Sequence, residues 1–237
     1  MGTAGADGSG RAFKKPASVF AKWRTDDDAT RQKCLDHDFD NWKLDRFELR
    51  DLAQCDGVKK IIYDNFFFLK AIFLEIASET AFPKVTPLGF SSLCQRCGLI
   101  DNANLRLADV DRFFIAARRI DGEKQEDQNI IRHMFIEAIS RVAFKRFYND
   151  KQGEAEDRVE AMQMCVDKMK KSWSTQNWEE WRWKYLYNVP VHETLYANYS
   201  HLTKLHQTYR KANKKYPDLQ DIQTMFADVG DPALGPS

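Results

Sequence analysis

The sequence predicts an all-α chain, a pair of helix-loop-helix units followed by an additional helical region. Three observations carry this. Between Ile61 and Ala77, apolar residues recur at three and four positions, as at Ile62, Phe66, Leu69, Phe73 and Ile76, which is the spacing of a buried helical face. No run alternates with period two, so no sheet is expected beyond short loop pairings. Finally, FLEIASETAF at Phe73–Phe82 echoes FIEAISRVAF at Phe135–Phe144. Equivalent helices at the two ends of a four-helix unit give such an echo, and so do two amphipathic helices that converge on the same letters.

The elements follow in order. From Met1 to about Lys15 the residues are small and polar, with Gly2, Gly5, Gly8 and Gly10 among them. Such a segment buries too little to offset its ordering entropy, so a flexible N-terminal tail is expected over residues 1–28. Phe13, Phe20 and Trp23, set among Lys14, Lys15, Lys22 and Arg24, equip it to fold on a partner. The mixed-charge stretch DHDFDNWKLDRFELRDLA reads as helical in its second half. One long buried helix then runs until Pro83 and Pro87 end it. Helices at about 89–99, 107–119 and 129–148 complete a domain over 29–150. Three more, near 154–173, 175–187 and 191–213, make a C-terminal helical region over 151–216, and 217–237 reads as a tail.

With 237 residues and 43% hydrophobic content the chain can bury a substantial core. The net charge of +1 supplies no global field toward nucleic acid or an anionic membrane. Asp64, Asn65, Lys70 and Glu75 interrupt the longest apolar stretch, which is too short and polar to span a bilayer. Ala6 stands where a myristoylation signal needs Ser or Thr. Five scattered cysteines without a secretory leader imply reduced thiols, hence a soluble intracellular protein.

Candidate chemistry centres on SSLCQRCGLIDNANLRLADVDRFF, Ser91 to Phe114. Zinc needs four ligands, usually two closely spaced pairs, and Cys94 and Cys97 are one pair without a second. Cys165 and His133 stand alone on their helices, where packed or hydrogen-bonded roles are commoner. A redox pair belongs at a strand end in an alternating strand and helix pattern, which is missing. Two adjacent helix-loop-helix units suggest EF-hands, whose loops need Gly at the sixth and Glu at the twelfth position. The first loop, AFPKVTPLGF, holds no acid. In the second, counted from Asp121, the sixth residue is Glu126 and the twelfth Arg132. Both key positions fail, so the expected fold class is a degenerate EF-hand-like pair whose geometry can persist without the metal. No phosphate loop, nucleophile elbow or His-Glu-x-x-His motif is present, so no enzyme activity, metal or cofactor is expected.

The order LCQRCGLID, DVDRFF, NIIRHMFIEAISRVAFKRF resembles the core of the tubulin polymerization-promoting protein family. The matching positions are Leu93, Cys94, Cys97, Asp101, Asp109, Val110, Asp111, Phe114, Phe135, Ala138, Ala143, Lys145, Arg146 and Phe147, within about 61–148. A looser likeness to EF-hand-like flagellar proteins of protists covers Arg132, Phe135, Glu137, Arg141 and Ala143. It continues through WRWKYLYN and NYSHLTKLHQTYRK to Arg210. The sequence departs from the family in lacking its usual Gly-rich C-terminal tail, so the resemblance does not extend to bundling activity of that kind.

These resemblances imply a non-enzymatic structural microtubule-associated protein, a component of the axoneme doublet of a cilium or flagellum in the cytoplasmic cytoskeleton. Its partners would be tubulin and neighbouring axonemal proteins, with no nucleic acid and no membrane. The rival expectation is a calmodulin-like, calcium-responsive regulatory adaptor. Tubulin surfaces are acidic, which directs attention to Lys204, Arg210, Lys211, Lys214 and Lys215, a stretch with no acid between Thr194 and Pro217. A solvated cluster suited to a helix C-terminus gives the same pattern. Lys168, Lys170 and Lys171 form a second cluster. Trp178 and Trp181 can share a helix face with Tyr185, either in packing or as a partner contact, while Trp183 points elsewhere.

Overall fold

The computed structural model describes residues 12–44, 49–119, 128–148, 153–175, 177–210 and 219–229. They are helical, with no strand among them beyond isolated bridges. None of the described helices is long and apolar enough to cross a membrane. Two compact units emerge. A central unit spans Asp26–Thr175, and a terminal unit joins Met1–Thr25 to Gln176–Ser237.

The central unit contains α1 (Asp28–Asp40), α2 (Leu52–Asp64), α3 (Phe66–Thr80), α4 (Pro87–Arg96), α5 (Leu107–Arg118), α6 (Arg132–Phe147) and α7 (Arg158–Ser172). Local chemistry sets their starts. The side chains of Asp27, Asp51, Thr86 and Asp157 accept the N–H groups of Thr30, Ala53, Gly89 and Glu160, replacing bonds that the first turn lacks. The long expected helix is two. Asn65 leaves helical geometry, and its Nδ2 donates to the Ile61 carbonyl at 2.7 Å, so α2 ends where α3 begins. At the end of α4, Gly98 adopts φ 61°, a conformation that side chains strain, and the Leu99 N–H closes onto the Cys94 carbonyl at 2.9 Å.

Helices α3 to α6 form two helix-loop-helix units in succession. Their interhelical loops meet through one antiparallel bridge, in which Val85 and Ile130 exchange both N–H···O bonds at 2.9 Å. The echoed helices α3 and α6 are the first and last of the four. Their equivalent rings Phe73 and Phe135 lie 5.5 Å apart, and Phe90 meets Phe135 at 6.0 Å. The other ends of the echo diverge, since Phe82 is exposed and Phe144 buried.

Helix α7 belongs to the central unit, although the expected boundary at 150 assigns it to the C-terminal region. Ala161, Met162, Cys165, Val166 and Met169 form a continuous buried face that packs on α2 and α6. Trp173, just after α7, donates its Nε1 to Glu75 on α3 at 3.1 Å and lies under the Arg96 guanidinium. Helix α1 lies before the half of the mixed-charge stretch that was expected to be helical, and its sequence is highly charged. Leu35 is buried, and the buried Asp38 receives two bonds from Arg132 on α6, at 2.7 and 2.9 Å. That pair lets a charged helix pack on a core.

The terminal unit contains a short 3-10 turn (Lys15–Ala17), α8 (Trp178–Trp181), a π-helical turn (Arg182–Leu186), α9 (Val189–Ala197), α10 (Tyr199–Tyr209) and α11 (Leu219–Val229). The expected tail over 1–28 needs correction here. Residues 12–25 pack on the C-terminal segment, and Phe20 is buried against Tyr187 with rings 5.2 Å apart. Phe13 stacks parallel to Tyr187, Lys15 lies over the same ring, and the Val19 N–H donates to His192. The partner for these aromatics is the chain's own C-terminal segment. Residues 1–11 of the expected tail lie outside the described residues. Helix α11 likewise occupies part of the expected C-terminal tail. The expected helix at 191–213 is broken at Asn198, which caps α9 and starts α10.

Candidate functional site

The Cys-x-x-Cys stretch builds the framework of the central unit. Leu93, Cys94 and Cys97 are fully buried, beside Cys165 of α7, and all five cysteines are free thiols. Burial raises the Cys97 thiol to about 11 and pushes Cys94 and Cys165 up as well. These are protonated, unreactive groups at neutral pH.

The other residues of the family-like pattern are framework too. One oxygen of Asp101 accepts the N–H groups of Ala103, Asn104 and Leu105 at 3.1, 2.9 and 2.9 Å, folding the connection between α4 and α5. Arg146 of α6 pairs with its second oxygen at 3.2 Å. Burial pushes the Asp101 carboxyl up, but those backbone donors and Arg146 outweigh it and hold the group below its usual range. Asp109 accepts the Arg106 N–H at 2.9 Å and pairs with Arg112, locking the start of α5.

The terminal unit is different in kind. Trp178, Trp181 and Tyr185 form a ladder, with centroids 6.1 and 5.7 Å apart, on one side of α8 and the π turn. Trp178 is 48% and Tyr185 52% exposed. Trp183 points away and packs edge-on against Tyr187 at 5.2 Å. Glu179 fixes this division, since it accepts from Trp183 Nε1 at 3.0 Å and from Arg182 at 3.2 Å. Helices α9 and α10 add exposed Tyr196, Tyr199 and Leu202. The helices from α8 to α10 contain half-buried side chains but no fully buried one.

Of the expected basic stripe, Lys204 is exposed on α10 and Arg210 follows its last residue, half-buried. Lys211, Lys214 and Lys215 lie outside the described residues. Lys168, Lys170 and Lys171 sit on or beside α7 in the central unit, and the Lys170 ammonium lies over the Phe68 ring.

A further cluster joins residues far apart in sequence. The ligand-capable atoms of His37, Asp38 and His133 all lie within 4.8 Å of one another. His133, expected to stand alone, therefore has neighbours on α1. The packing of α1 on α6 creates this group, and no short-range spacing in the sequence announces it. Burial lowers the His133 pKa, with Asp38 opposing and His37, Lys43 and Arg132 adding to the fall. Nearby, Glu137 is buried, accepts the Lys43 N–H at 3.3 Å and pairs with Arg141 at 2.9 Å. Its own pKa is raised by burial, against the pull of Arg141.

Comparison with protein-family models, with curated proteins and with solved structures finds no match for this chain.

Proposed function

We propose that this chain is a non-enzymatic structural protein of the microtubule cytoskeleton, a component of the axoneme doublet of a cilium or flagellum. In this reading the central unit is a rigid, EF-hand-like framework and the terminal unit meets tubulin or a neighbouring axonemal protein. One observation carries the partner contact. Among the described residues the helices from α8 to α10 have no fully buried side chain, yet they display Trp178, Trp181, Tyr185, Tyr196, Tyr199 and Leu202. Helices of 9 and 11 residues, as α9 and α10 are, are marginal in water without a packed face. Exposed aromatic clusters of this kind are the usual anchors of protein interfaces. Lys204 and Arg210 beside them suit an acidic partner such as the tubulin surface.

The identity of that partner rests on the resemblance of 61–148 to the tubulin polymerization-promoting protein family. The back-to-back loops joined at Val85 and Ile130 support the paired, EF-hand-like arrangement. The chemistry of the loops favours a framework that works without calcium. Residues 81–86 contain no carboxylate, and Arg132, at the twelfth position of the second loop, is engaged by Asp38.

Co-sedimentation with stabilised microtubules at two salt concentrations tests this. The expected result is pelleting that weakens with salt and is reduced both by Trp178→Ala with Trp181→Ala and by reversing Lys204, Arg210, Lys211, Lys214 and Lys215 to Glu. Absence of pelleting by the parent protein, alone and with axonemal extract, would overturn the microtubule reading.

A further inference from the structure

Among the described residues, His37, Asp38 and His133 make up a cluster whose geometry serves no step of the proposed partner binding. His37 and Asp38 lie in the last turn of α1, and His133 is the second residue of α6. The His37 Nδ1 and Asp38 Oδ1 are 3.5 Å apart. Two ligands about 2.1 Å from a shared ion lie roughly 3.4 Å apart at the tetrahedral angle, so this pair already has the separation of neighbouring ligands. The third ligand atom comes from His133, inside the 4.8 Å limit of the group. The two imidazole rings stand 6.1 Å apart at 60°. The exposed His37 side chain is the one free to rotate and close the remaining gap.

We propose that His37, Asp38 and His133 bind a divalent transition-metal ion of the zinc class, with water completing the coordination, and that the bound ion clips α1 to α6. The carboxylate is held as a ligand should be. Asp38 is 3% exposed, and Arg132 donates Nε to Oδ2 at 2.7 Å and Nη2 to Oδ1 at 2.9 Å. Each carboxylate oxygen has a second lone pair, so the guanidinium orients the group without exhausting it. Outer partners of this kind fix ligands in metal sites. Arg132, Lys43 and Arg141 bring positive charge to the neighbourhood, and Asp38 and Glu137 bring negative charge. Local charge therefore does not attract the ion, and the two nitrogen donors carry its selection. They favour zinc, cobalt, nickel or copper over calcium and magnesium, which take oxygen ligands. With three protein ligands, one of them shared with Arg132, binding should be weaker than in a four-ligand structural site.

The test is zinc titration by calorimetry on the reduced full chain, with cobalt absorption as a second readout. Wild-type protein should take one zinc equivalent, show cobalt d–d bands without the intense thiolate charge-transfer band, and melt at a higher temperature with zinc. His37→Ala and His133→Gln should each weaken binding tenfold or more and remove the zinc-dependent rise. His37 is exposed, so its variant stays folded and decides the matter even if His133→Gln perturbs packing. No zinc binding by the wild type, or binding unchanged in His37→Ala, would overturn the proposal. A thiolate charge-transfer band would do so as well, by assigning the ion to the cysteines.

Discussion

The central and terminal units use aromatic residues in opposite ways. In the central unit the rings Phe66, Phe73, Phe90, Phe114, Phe135 and Phe147 are buried, enclosed by helices that each offer an apolar face. In the terminal unit the buried rings among the described residues are Phe20 and Tyr187, while Trp178, Trp181, Tyr185, Tyr196 and Tyr199 stay in solvent. The residue types differ in step. Phe fills the interior of the first, whereas Tyr and Trp, which carry a polar atom able to face water or a partner, dominate the surface of the second. The central unit thus keeps its rings for its own stability, whereas the terminal unit leaves most of its rings available to the partner proposed above.

The hardest blow to this contrast is a cavity at the centre of the first unit. Phe135→Ala removes the ring that meets both Phe73 and Phe90 and should cost about 3–5 kcal/mol. Chemical denaturation followed by circular dichroism measures it, and a loss under about 1 kcal/mol would mean that the core is not centred there. Next in size, Tyr187→Ala removes the ring on which Phe13, Phe20, Trp183 and Lys15 converge. It should cost the terminal unit about 3 kcal/mol, seen as faster amide exchange at residues 12–25. Unchanged exchange there would restore the flexible tail.

Replacing the exposed ladder should separate stability from binding. Trp178→Ala with Trp181→Ala should shift unfolding of the isolated protein by about 0.5 kcal/mol or less, as surface changes do. Partner affinity should fall at least tenfold, the scale of a lost aromatic anchor. Equal losses of stability and binding would place these rings in a core, and the two units would then not differ in kind.

How much of this was legible follows the same division. The helices α3 to α7 declare themselves because each presents apolar residues at helical spacing to one interior, and the echo of Phe73 in Phe135 marks two helices that meet. Helix α1 escapes because its buried face includes Asp38, an acid made tolerable by Arg132, 94 residues away. The break at Asn65 escapes because it turns on one side-chain bond to the Ile61 carbonyl. In the terminal unit, Gly-rich residues before Phe13 make the whole of 1–28 read as a tail, whereas Phe13, Val19 and Phe20 meet Trp183, Tyr187 and His192, more than 150 residues away. The exposed pair Trp178 and Trp181 was visible as a helix face, but which way that face looked was not. The His37, Asp38 and His133 group was invisible for the same reason, since it exists only where α1 crosses α6.

The smallest predicted effect reaches a polar joint of the central unit, where pH gives it a signature. Asp109 is held below the usual aspartate range chiefly by the Arg106 N–H, with burial opposing and Arg112 assisting. Its folded pKa is depressed, so the stabilisation is full above the unfolded value of about 3.9 and is lost as pH falls through the lower folded value. Asp109→Asn keeps the shape but forfeits the charge, and should cost about 1 kcal/mol at neutral pH. In acid-unfolding curves the gap between parent and variant should persist down to about pH 4 and close below it. A gap that stays constant through that range would mean that shape alone, and not the carboxylate charge, secures the start of α5. In the terminal unit Asn177 and Asn188 cap α8 and α9 with neutral amides, so acid in this range should loosen the α5 cap of the central unit and leave those two caps intact.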